Sequence, residues 1–219
     1  MEETVEETRD VSGARGIPVP RGERPADAAV RYAQECHWDV VPGTRLVAGP
    51  GADSCSCGAA RCPAPGAHPA AEDWQAQATG SAVVARRLWE GDPYASVLLP
   101  TGRTFDTLDV PESAGFLALA RMERLEVGLG PVTWTPDRRV HFFVLPGAAP
   151  RLPELVRRLG WAPVAPDLVG HGEGDYVLGP PTRVGSHGAV QWVRKPTASN
   201  RWLPEAEELV GALAYACGR

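Results

Sequence analysis

The stretch CSCGAARCPAPGAH gathers Cys55, Cys57, Cys62 and His68 within fourteen residues, side chains of the types that coordinate a borderline-soft divalent cation. Three thiolates and an imidazole complete the tetrahedral set that Zn2+ takes in structural sites. Closing the segment round an ion would order a stretch with little apolar content of its own. The Cys-x-Cys spacing is tighter than usual, so the same residues also read as a flexible loop with free thiols. Five cysteines, an odd number with three crowded together, fit reduced thiols or a metal site better than a disulfide framework.

A second group is acidic. Asp109 ends the apolar run TFDTLDV, and acids at i and i+2 of a strand project from one face, as two-metal in-line displacement on phosphorus requires. Position i+2 is Pro111. Glu112, at i+3, joins Asp109 only if the chain bends at Pro111; spacing alone favours Asp109 as a cap of the following helix, with Glu112 in its first turn. In RRVHFFVL, alternation sets His141, Phe143 and Leu145 on one strand face and Val140, Phe142 and Val144 on the other. A histidine on so covered a strand reads first as a hydrogen-bonded core residue. Asp167 opens a short strand, followed by a Gly-rich turn that lets backbone approach a ligand closely; Glu173 and Asp175 read as solvated turn residues.

The elements that position these groups follow from periodicity. PADAAVRYAQECHW is a helix with Pro25 at its start, WDVVP a short strand, and residues 43–73 a long loop holding the cysteines. SAVVARRLWEGDP is a helix. ASVLLPTG and RTFDTLDV read as a strand pair joined by a tight turn at Thr101-Gly102. Residues 112–127 form a helix with Phe116, Leu119, Ala120, Glu123 and Val127 near one face, and PVTWTPDRRVHFFVL is a hairpin. Then come the helix LPELVRRLG, short strands near DLVG, DYVLGPP and AVQWV, and a final helix PEAEELVGALAYAC, on whose apolar face Cys217 sits, as Cys36 does on the first helix. Strands and helices mix without strict alternation, the pattern of an α+β fold with helices packed on a sheet.

The chain has 219 residues, 43% of them hydrophobic, which is enough for a sizeable core. Residues 1–24 are polar and charged, and read as a disordered acidic arm before a single domain over residues 25–216. No apolar run reaches the length of a membrane span and the N-terminus is acidic, so the expected location is the cytoplasm, without a membrane partner. A net charge of −5 argues against a nucleic-acid binder charged over its whole surface but leaves room for a local cationic groove.

Taken in order, these segments resemble the bifunctional DNA primase/polymerase N-terminal (prim-pol) domain of the archaeo-eukaryotic primase superfamily, most of all its short stand-alone actinobacterial type. AAVRYAQECHWDVVP is similar to the family's opening helix and strand, and PGAHP to its PGKHP. LLPTGRTFDTLDV is similar to the strand pair carrying an Asp-x-Asp, TPDRRVHFFV to TPSGGxHxYF, and DLVGHGEGDYVLGPPTRVGSHGAVQW to DIRGxGGYVVAPPSxxxxGxxYxW. The resemblance covers roughly residues 25–215. It implies a prim-pol-like mixed sheet with an RNA-recognition-motif-like catalytic core, packed helices and an N-terminal accessory α/β part. It also implies Mg2+ or Mn2+, nucleoside triphosphates and DNA as ligands. Position by position, Asp109 matches the first metal-binding acid, His141 the histidine that contacts the triphosphate, and Asp167 the later acid.

The departures matter as much. The second acid falls on Pro111, which neither ligates a metal nor donates a backbone N–H. Arg138-Arg139 stands where the family has two glycines, and Ala67 where it has Lys. Arginines there either obstruct a nucleotide or supply cationic contacts to it. Losing one carboxylate of a metal pair costs orders of magnitude in rate, since such groups act as a unit. Three readings remain open: a prim-pol relative that binds nucleotide and nucleic acid with transfer weakened or lost; an active nucleotidyltransferase using Asp109, Glu112 and Asp167; and a zinc-stabilised module for a protein partner.

Overall fold

The computed structural model describes residues 22–49, 53–160, 167–197 and 202–218. All but the last three residues of the expected arm, and residues 50–52 of the Cys loop, lie outside them.

Helix α1 (Pro25–Arg31) starts on Pro25, whose fixed φ suits a first helical turn, and continues as one π-helical stretch, Tyr32–Cys36, ended by His37 in the left-handed region at φ 57°. Short strands β1 (Val41–Pro42), β2 (Leu46–Val47) and β3 (Ser54–Cys55) precede α2 (Trp74–Gln77) and α3 (Ala82–Leu88), the latter capped by the Ser81 hydroxyl. Then follow β4 (Val97–Pro100), β5 (Asp106–Pro111), α4 (Glu112–Arg124), β6 (Val132–Thr135), β7 (Arg139–Val144), α5 (Leu152–Arg158), β8 (Val169–His171), β9 (Tyr176–Gly179), β10 (Arg183–Val184), β11 (Gly188–Ala189), β12 (Gln191–Arg194) and α6 (Ala206–Cys217). No helix among the described residues is long and apolar enough to cross a membrane.

The architecture is α+β. The main sheet is antiparallel in the order β12-β6-β7-β5-β8, and β5-α4-β6-β7-α5-β8 runs as a split β-α-β pattern in which β7 lies between β5 and β6. Period-2 alternation divides its faces. Leu108, Val110, Val132, Val140 and Phe142 pack under α4 and α6, while Thr107, Asp109, Thr133, His141 and Phe143 occupy the other face. A second core joins that other face to the N-terminal part, with Trp38 stacked on Phe143 at 5.2 Å between ring centroids. Tyr32 and Trp192 sit in it with their polar tips satisfied, Trp192 Nε1 donating to Tyr32 Oη at 2.9 Å and Tyr32 donating to the Pro180 carbonyl at 2.7 Å.

Two expectations are corrected. β4 and β5 are not a hairpin. β4 pairs with β1 and β9 in a separate three-stranded sheet, so Thr101-Gly102 carries the chain from one sheet to the other. The turn is tight because it seals against the β8–β9 loop: Thr101 Oγ1 donates to the Gly172 carbonyl at 2.6 Å, and a Cβ on Gly102 (φ 98°) would stand 2.4 Å from Glu173 Cα. The buried stripe of α4 is also displaced, comprising Ala114, Gly115, Ala118, Leu119 and Met122, with Phe116 left exposed. Gly115 sets the rotation, since a Cβ there would meet Val140 at 2.6 Å; the helix lies too close to β7 for a larger residue.

Candidate active site

Register assembles the site. Asp109 on β5 stands directly across from His141 on β7, and Thr107, two residues earlier on the same face, stands across from His171 on β8. Asp109, His141, His171 and Arg139 therefore meet in a cleft of about 840 Å3. Its opposite wall includes Pro63, Ala64, Pro65 and Ala67 of the Cys loop. Pro111 ends β5 and takes the N-cap position of α4, so Asp109 is not a helix cap; its carboxylate belongs to the sheet face.

Each carboxylate oxygen of Asp109 already has a cationic partner. Arg139 Nε donates to Oδ1 at 2.8 Å, and His171 Nε2 lies 3.3 Å from Oδ2. Arg139 also forks onto Asp167 at 2.8 and 3.0 Å, and His171 Nδ1 lies 2.5 Å from Asp175 Oδ2. Burial alone would raise the Asp109 carboxyl, but His171, the nearby His141 and Arg139 outweigh it and hold the group below the usual carboxylate range. Hydrogen bonds to Asp109 and Asp175 raise His171 to about 9 against its burial. His141 goes the other way, burial pushing it down to about 4, and its Nδ1 is buried without a partner. Two histidines with rings 5.7 Å apart thus favour opposite protonation states.

Among the described residues lining the cleft, Glu112, Arg138 and Asp167 do not figure. Glu112 pairs instead with Arg138 across the β6–β7 turn at 2.8 Å, and its N–H donates to the Arg138 carbonyl at 2.9 Å. Asp167, more than half exposed, precedes β8 rather than opening it and reaches the site only through Arg139. These acids do not fit a pair of hard cations. Asp109 is occupied on both oxygens, Asp167 is held by a guanidinium, Glu112 is turned to Arg138, and Pro111 offers no ligand.

The Cys loop does fit a single ion. Ligand atoms of Cys55, Cys57, Cys62 and His68 lie within 4.8 Å of one another, with Cys55 Sγ 3.4 Å from His68 Nε2. The other ring nitrogen of His68 meets the Pro69 carbonyl at 2.9 Å, the kind of outer contact that orients a metal-binding imidazole. Burial opposes ionisation of Cys55, but hydrogen bonds from Thr44 and from the backbone at Cys57 and Gly66 prevail and lower its thiol to about 6, toward the thiolate that ligates.

Of the residues singled out from sequence, the cleft brings together Asp109, His141 and Arg139, while Cys55, Cys57, Cys62 and His68 cluster beside it. The sequence reading missed His171, and it took Asp175 for a solvated turn residue, whereas the structure pairs it with His171. The alternation signal existed, since His171 ends a short strand, but nothing local said that this strand lies beside β5.

No curated protein matches the chain. The sequence model of the bifunctional DNA primase/polymerase N-terminal family, Prim-Pol, matches residues 29–208, a span holding the Cys loop, both sheets and only the start of α6. With most of its length matched and the motif segments in family order, this chain belongs to the Prim-Pol family.

Proposed function

We propose that the protein binds a nucleoside triphosphate and single-stranded nucleic acid in the cleft, and that its capacity for nucleotidyl transfer is weakened or lost. The observation carrying this reading is Arg139, which ties up Asp109 and Asp167 together where the family motif has a glycine. A guanidinium in that place supplies part of the positive charge that a metal pair supplies in an active relative, and it offers a phosphate a forked donor. His141, neutral and facing the cleft, and Thr135, across from Arg139, give further polar contacts.

We read the Cys loop as a structural Zn2+ site that shapes the wall facing Asp109. The catalytic alternative, with Glu112 replacing the missing acid, requires Glu112 to leave Arg138 and swing toward Asp109.

Primer extension and de novo synthesis with Mn2+, wild type beside Asp109→Ala, test the reading together with a binding assay using labelled nucleotide and single-stranded DNA at low salt. We expect binding without incorporation above the Asp109→Ala background. Incorporation well above that background makes the protein an active enzyme, and absence of binding to either ligand leaves a zinc-stabilised interaction module.

A further inference from the structure

Asp109, His141 and His171 converge in a way that the acid-pair chemistry of the resemblance does not use. Asp109 and His171 come from adjacent strands 62 residues apart in sequence, and Asp109 and His141 are direct cross-strand partners. One carboxylate oxygen of Asp109 and one nitrogen of each histidine lie within 4.8 Å of one another. Two ligands about 2.1 Å from a tetrahedral ion stand about 3.4 Å apart. Asp109 Oδ2 and His171 Nε2 already stand at 3.3 Å, so the edge of a coordination polyhedron is in place.

Two further observations point to a ligand there. His171 presents its other nitrogen, Nδ1, to Asp175 Oδ2, the carboxylate–histidine arrangement that fixes the tautomer and orientation of a metal-binding imidazole. His141 is 8% exposed, lines the cleft, and has a buried ring nitrogen, Nδ1, with no hydrogen-bond partner. Arg139 occupies Oδ1 of Asp109 and holds the carboxylate in place, so an ion at Oδ2 replaces only the contact to His171 Nε2, itself a ligand of that ion.

We propose that Asp109, His141 and His171 form a mononuclear site for a first-row transition ion of the Zn2+ or Co2+ kind, open toward the cleft. Two imidazoles and one carboxylate suit such an ion, whereas Mg2+ asks for six oxygens in an octahedron. Binding inserts the ion between Asp109 Oδ2 and His171 Nε2, and any proton on Nε2 leaves to solvent. Asp175 stays outside the coordination sphere and positions His171. The site is separate from the Cys loop, and it rests on this geometry whether or not the cleft takes nucleotide.

The test is cobalt loading of the tag-free full chain after chelator treatment, read by metal stoichiometry and absorption. Co2+ in the Cys loop gives sulfur-to-metal charge-transfer bands, whereas Co2+ on Asp109, His141 and His171 gives d–d bands without them. We expect two Co2+ per wild-type chain. In His171→Ala and in His141→Ala we expect one, with the charge-transfer bands unchanged. Asp175→Asn, which removes no ligand, should weaken the second ion by roughly 10- to 100-fold. Circular dichroism identifies a variant that has merely unfolded, and Asp175→Asn keeps the question answerable if a histidine variant does. One ion per wild-type chain with charge-transfer bands, a second ion retained in both histidine variants, or a second site that Mg2+ fills as well as Co2+ would each overturn the proposal.

Discussion

The Cys loop and the cleft face of the main sheet bring ligating groups together by opposite means. Cys55, Cys57, Cys62 and His68 are neighbours in sequence, on a segment with one two-stranded ribbon and little core; Cys55 is its one buried ligand. Asp109, His141 and His171 are scattered through the chain and are positioned by strand register on a sheet whose other face is packed under two helices. On the zinc reading proposed above an ion would define the loop, while the sheet face is defined already and fills its charges internally with Arg139 and His171. Metal should therefore act on structure in the loop and on chemistry in the cleft.

The largest expected effect breaks the first half of that contrast. Zinc binding in isolated zinc-finger peptides is worth about 10–16 kcal/mol at neutral pH, and an ion in the loop would supply only part of that, because backbone contacts such as Thr44 N–H to the His68 carbonyl at 2.8 Å hold its ends. Chelation, or Cys55→Ser, should raise the rate of limited proteolysis within residues 53–68 by roughly tenfold or more while leaving the main sheet folded. Equal protease resistance with and without metal would remove the distinction between loop and sheet.

Next in size is Arg139→Ala. The guanidinium is about one-fifth exposed and Asp109 about one-tenth, so its loss strands a buried carboxylate that keeps only His171; because Asp167 is more than half exposed, the cost should be about 2–4 kcal/mol by urea unfolding. A cost below about 1 kcal/mol would mean that Arg139 is not the internal counter-ion of the site.

Legibility in the sequence followed the same division. The Cys loop was readable because its ligands share a short segment, and the β6–β7 hairpin because its apolar runs flank one polar turn. The partners of β5 were not, because pairing with β8 rather than β4 is a tertiary choice, decided by the seal between Thr101-Gly102 and the β8–β9 loop. His171 was missed for that reason. The rotation of α4 was missed because the apolar stripe pointed to Phe116, whereas close packing selected the small face at Gly115.

The pH dependence of the cleft sharpens the contrast at the next level. In metal-free protein the His171 ring, facing Asp109, Asp175 and His141, has its folded pKa raised from 6.5 to about 9. Its contribution is thus fully present below about pH 6.5 and fades as pH rises through 9, worth up to about 3 kcal/mol. His141 is depressed to about 4, so its contribution is lost as pH falls below about 6.5. Cys55, lowered to about 6, adds stability over the same pH range, so the His171 share is read as the difference in unfolding free energy between wild type and His171→Gln, which should shrink from pH 6.5 to about 9.5. An unchanged slope in that variant would assign the pH response to other groups.

The smallest effect separates the two arginines that replace the family's glycines. Arg138 sits at φ 67°, a left-handed conformation that glycine adopts without strain, and its ion pair with Glu112 leaves the Arg138 side chain 79% exposed. Arg138→Gly gives up a screened surface pair worth less than about 1 kcal/mol and relieves a backbone cost of similar size, so its unfolding free energy should stay within about 0.5 kcal/mol of wild type. In Arg138→Gly, Glu112 loses its ion-pair partner, as the catalytic alternative requires. If Mn2+-dependent incorporation rises in Arg138→Gly but not in Arg139→Ala, the weakened transfer proposed above traces to the held Glu112; if the reverse, to the guanidinium between Asp109 and Asp167.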